Sequence, residues 1–73
     1  MRFIKTQDAL INMDLITKYR IVEVTPTRVE IYADTEILFV CDSMSAAEDL
    51  LEKIAEFTYN GTGIFNPMVK EGY

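Results

Sequence analysis

The chain has no histidine and only one cysteine among its 73 residues. Without an imidazole there is no Ser–His or Cys–His pair, because the base that activates the hydroxyl or thiol is missing. One thiol and no imidazole also exclude the ordinary tetrahedral zinc sites. A lone Cys41 rules out an internal disulfide framework. It closes the apolar run 37–41 and is followed by Asp42. That setting suits a buried, inert thiol, since reactive cysteines need electropositive, partly exposed surroundings. No run approaches the roughly 20 apolar residues of a membrane span, so no membrane insertion is expected. The opening MRFIKTQDAL has neither a continuous apolar stretch nor a small-residue cleavage site, which points to a cytoplasmic protein without a secretory leader. Internal repeats and low-complexity tracts are absent as well.

Basic residues are few and scattered. Residues 1–33 hold five basic side chains against four acidic ones, and residues 34–73 hold two against eight, so the net charge of −5 sits in the second half. Binding nucleic acid needs a clustered basic face, and no such partner is expected here. Tyrosines and phenylalanines are not interleaved with a basic stripe, which removes the aromatic platform for single strands. Asp8, Asp14, Asp34 and Asp42 all fall at turn positions, where aspartate bonds the local backbone. Asn60-Gly61-Thr62-Gly63 has two glycines but follows a helix and lacks the phosphate-loop lysine, so it serves as a helix exit. No cofactor is expected, and no enzymatic constellation is visible.

What is present is 49% hydrophobic residues, ample for one layer of helix on sheet in a domain of this size. Residues 45–58 form the clearest element. Ala47, Leu50, Leu51, Ile54 and Phe57 recur at three- and four-residue spacing and mark one helical face. Glu48, Asp49, Glu52, Lys53 and Glu56 fall on the other, with three acids near the positive end of the helix dipole. Ser45 with Glu48 matches a capping box; a longer helix capped by Ser43 is the alternative. Asn60-Gly61 suits a left-handed exit.

Before the helix the chain reads as short strands. Residues 2–6 and 9–11 flank a turn at Gln7-Asp8, and one helical turn is expected at 14–16. Residues 19–24 are β-branched and aromatic. Thr25-Pro26-Thr27 turns the chain, residues 28–32 alternate cleanly, and Ala33-Asp34-Thr35 makes a second hairpin turn. The run 36–41 is continuously apolar, as for a strand covered on both faces. The fold class is therefore α+β: an antiparallel meander of four to five strands, one amphipathic C-terminal helix, and an apolar tail. Residues 1–60 form the single domain, and residues 61–73 form a tail packing on it or on a partner. Val29, Ile31, Ile37 and Phe39 should face the helix, leaving Tyr19, Tyr32, Leu38 and Val40 on the opposite face. Apolar residues on both faces call for a second cover.

The stretch that carries Leu10-Ile11-Asn12, Leu15-Ile16, Thr25-Pro26-Thr27 and the run 37–40 into Asp42-Ser43 resembles the FlbD/SwrD family of small bacterial flagellar and swarming-motility proteins. The resemblance covers residues 3–58 and implies strands followed by a C-terminal helix. This chain departs at Ala33-Asp34-Thr35, where the family places an Asn-Gly-Lys turn, and by two extra residues between Ile16 and Thr25. Residues 61–73 lie past it. The same pattern suits many small proteins of bacteria and their phages, so a motility role is not carried over.

The expected function is a non-enzymatic protein-interaction module that binds identical copies of itself. Its candidate contacts are Tyr32, Leu38, Ile64, Phe65, Met68 and Tyr73. The alternative is an acidic regulatory or inhibitory protein that meets a basic protein target through Glu48, Asp49, Glu52 and Glu56.

Overall fold

The computed structural model describes residues 1–67. Six strands and one long helix appear in the order β1 (Arg2–Lys5), β2 (Leu10–Asn12), a 3-10 turn (Met13–Leu15), β3 (Tyr19–Thr25), β4 (Arg28–Ala33), β5 (Glu36–Cys41), α1 (Met44–Asn60) and β6 (Gly63–Phe65). The content is α+β, but the strands do not form one meander. They divide into two three-stranded sheets, ordered β2-β1-β6 and β3-β4-β5. The second is a true antiparallel meander. The first is a hairpin whose free edge takes β6 in parallel, with Phe3 beside Ile64. The chain thus spends residues 63–65 extending the first sheet.

The break between sheets is chemical. Asn12 accepts at its side chain from the Asp14 N–H and starts the 3-10 turn, which ends β2 after three residues. Asp34 then fixes the segment that leads from the 3-10 turn into β3. It is the first residue of the β4–β5 loop and sits at φ 56°, a left-handed conformation that aspartate tolerates better than most residues. Its carboxylate accepts from the Thr17 hydroxyl and N–H and from the Lys18 N–H, and its own N–H donates to the Lys18 carbonyl. These are bonds across 16 and 17 residues, not the local backbone bonds expected of a turn aspartate. They hold its carboxyl below the ordinary aspartate pKa, the Thr17 hydroxyl contributing most.

Helix α1 is capped by Ser43, whose Oγ accepts from the Ala46 N–H at 3.1 Å. The start therefore lies earlier than a Ser45–Glu48 box would put it. Its C-terminal exit is not left-handed: Gly61 has φ −89° and ψ 164°. Glycine is required there for space, because a Cβ would fall within 2.8 Å of Cγ, Cδ1 and Cε1 of Phe57. The Gly61 carbonyl also accepts from Arg2 Nε at 3.0 Å, joining the helix exit to β1.

One core holds the layers together. Ile4, Val29, Ile31, Ala47 and Ile54 have no exposure at all, and Met13, Ala33, Leu38 and Phe39 are buried around them. Helix α1 lies on the β3–β5 sheet and meets all three of its strands. No helix among the described residues is long and apolar enough to cross a membrane.

Candidate functional site

The face of the β3–β5 sheet turned away from α1 is built by simple alternation. Val29 and Ile31 point into the core, so Arg28, Glu30 and Tyr32 point outward. Register then fixes their neighbours: Arg20 lies opposite Tyr32, and Val22 opposite Glu30, on β3. On β5, Val40 lies opposite Glu30 and Ile37 opposite Tyr32. Ile37 and Val40 are 47% and 52% exposed, far more than isolated core strands of a covered sheet would leave them.

A bulge decides which β5 residues belong here. Ile31 pairs with Phe39 but Tyr32 pairs with Ile37, so Leu38 is an extra residue. It turns inward next to Phe39, and both are 7% exposed. This reverses two sequence expectations: Ile37 faces out and Leu38 faces in. Leu38 is a core residue and offers no contact to a partner. Tyr19, opposite the buried Ala33, also belongs to the core side. Its hydroxyl is buried there without a hydrogen-bond partner among the described residues, and burial, with the nearby Asp34 charge, raises its pKa.

The polar groups of the outer face engage one another. Arg28 grips Oε2 of Glu30 through Nη2 at 2.8 Å and Nε at 3.0 Å. The Tyr32 hydroxyl donates to Oε1 at 3.1 Å. That bond is the main reason the Tyr32 pKa lies above the ordinary tyrosine value. Arg20 stacks its guanidinium 4.5 Å from the Tyr32 ring centre. The Glu30 side chain is only 8% exposed, although it sits on an open face, because Arg28 and Tyr32 close over it. A buried carboxylate without such donors would be costly, so this line of side chains is locked in place.

The other expected contacts scatter. Ile64 is 56% exposed on β6, in the other sheet. Phe65 packs against the core and meets Phe57 with ring centres 5.3 Å apart. Met68 and Tyr73 lie outside the described residues. Glu48, Asp49, Glu52 and Glu56 are all exposed on the outer face of α1, where Lys53 pairs with Asp49 at 3.6 Å. Of the expected partner contacts among the described residues, then, only Tyr32 lies on the outer sheet face. Sequence reasoning missed Arg20, Val22, Arg28 and Glu30, although the alternation of residues 28–32 contained that pattern. It could not find Ile37, because the bulge that exposes it leaves no mark in a continuous apolar run.

Cys41 is half-buried at the end of β5, and burial with the neighbouring Asp42 raises its thiol pKa, the opposite of an activated nucleophile. Among the described residues no cluster of three or more potential ligands could hold a metal ion. No family model, curated protein or solved structure matches this chain.

Proposed function

We propose that this chain is a non-enzymatic protein-interaction module that self-associates through the outer face of its β3–β5 sheet. One observation carries the reading: Val22, Tyr32, Ile37 and Val40 share a face that no element covers among the described residues. Its polar groups are already paired with each other, so covering the face leaves no carboxylate stranded. Tyrosine and arginine beside aliphatic residues are the composition of interface centres. The module uses no cofactor and no nucleic acid, and it acts in the cytoplasm, where a lone thiol such as Cys41 stays reduced. The role rests on the chain's own surface and takes nothing from the resemblance to flagellar and swarming proteins.

The test is sedimentation velocity of the full chain from a few micromolar to several hundred micromolar. A rising weight-average mass supports the reading, and a monomer throughout refutes it. Binding of a basic protein through α1 is the second reading, favoured by the exposure of Glu48, Glu52 and Glu56, none of which has an ion-pair partner among the described residues. Such binding should weaken steeply with salt. Capture of a cationic protein that survives reversal of Glu48 and Glu52 to lysine excludes it.

A further inference from the structure

We infer that two copies of this chain meet face to face on their β3–β5 sheets, related by a two-fold axis that runs across the strands through Glu30. This rests on the self-association proposed above and adds the geometry. Charge selects the face. The chain carries −5, and its acids Glu48, Asp49, Glu52 and Glu56 lie on α1, on the far side of the sheet. The outer face instead holds Arg20 and Arg28 against Glu30, a single net charge, so it is the face on which two copies of this acidic chain repel least. Stacking sheet on sheet leaves the two helices outermost, about 30 Å apart at about 10 Å per layer. That is several screening lengths at physiological salt, where the Debye length is about 8 Å.

Charge also selects the axis. Along β4 the outward residues run Arg28, Glu30, Tyr32. A two-fold axis parallel to the strands would set Arg28 on its own copy and Tyr32 on its own copy. An axis across the strands at Glu30 sets each Arg28 on the Tyr32 of the other chain, a guanidinium over a ring face. The same axis puts Val22 on Val22 and Val40 on Val40, since both lie opposite Glu30. The sequence Arg-x-Glu-x-Tyr is thus complementary to itself when reversed, as an isologous contact requires. The face measures only about 20 Å by 14 Å, from six residues and three strands at ordinary sheet spacings. An interface this small falls in the weak class, so association belongs in the micromolar range or above.

The experiment uses the full chain with Cys41→Ser and Glu36→Cys, carrying a nitroxide at position 36, and reads the distance between labels by pulsed dipolar spectroscopy. Glu36 is exposed and sits at the Ala33 end of the sheet, away from the contact centre. The proposed axis separates the two backbone positions by about 22 Å and an axis along the strands by about 14 Å; the side chain at 36, opposite buried Ala33, points to the helix side, so the label distances are longer, about 31 Å and about 26 Å. A distance near the larger value supports the geometry, and one near the smaller overturns it. Val40→Glu, at an exposed site that leaves the core intact, should weaken the dimer at least about tenfold. A dimer unaffected by Val40→Glu overturns the face while leaving self-association standing. A monomeric parent chain overturns both.

Discussion

Gly61→Ala separates two explanations of a glycine by the sign of its effect. At φ −89° and ψ 164° the backbone accepts any residue. If chain entropy were all that mattered, alanine would stabilise the fold by about 0.4–1 kcal/mol. The position is not free, however. The added Cβ falls within 2.8 Å of three carbons of the Phe57 ring, including Cγ, so the ring cannot clear it by swinging its tip. The whole ring must move, and it is already packed against Phe65, with ring centres 5.3 Å apart. Forcing extra volume into such a contact costs about 1–3 kcal/mol. The net expectation is a loss of about 1–2 kcal/mol, after the entropic gain. A domain of this length has about 4–11 kcal/mol in total. With a urea slope near 1 kcal/mol per molar, the midpoint should drop by about 1–2 M. Far-ultraviolet circular dichroism is the readout, since the chain has no tryptophan. In a Phe57→Leu background the cost of Gly61→Ala should shrink by at least half, because the two residues are in contact. A Gly61→Ala midpoint at or above that of the parent refutes the steric account.

Five further substitutions test three other parts of the fold. Leu38→Ala should cost about 2–5 kcal/mol as a buried deletion, and Ile37→Ala under about 1 kcal/mol, measured by urea unfolding; the reverse order would show that β5 is not bulged as described. Ser43→Ala should cost about 1 kcal/mol through the lost cap and Ser45→Ala no more than about 0.5 kcal/mol, by thermal unfolding. The Asp34 carboxyl has a lowered pKa in the fold. Its contribution to stability is therefore complete above the unfolded value near pH 3.9 and is lost as pH falls through the folded value. Asp34→Asn should unfold at lower urea than the parent at pH 6, and the gap should close toward pH 2. A gap that persists there would count against the carboxylate as the latch.

The residues themselves determined much of this molecule. Periodicity placed α1, because Ala47, Leu50, Ile54 and Phe57 can share a face only in a helix. Turn chemistry at Gln7-Asp8, Pro26 and Asp34 located the strand ends, since those residues favour or enforce local backbone conformations. The absence of histidine by itself removes the commonest catalytic base. Tertiary structure decided the rest. That residues 63–65 return to extend the β1–β2 hairpin is a pairing across some sixty residues that no local pattern encodes. Whether Ile37 or Leu38 faces out depends on one bulge, because a single inserted residue reverses the alternation beyond it. The outer face follows from both. It is the surface left after the helix has taken one side of β3–β5 and the returning strand has gone to the other sheet.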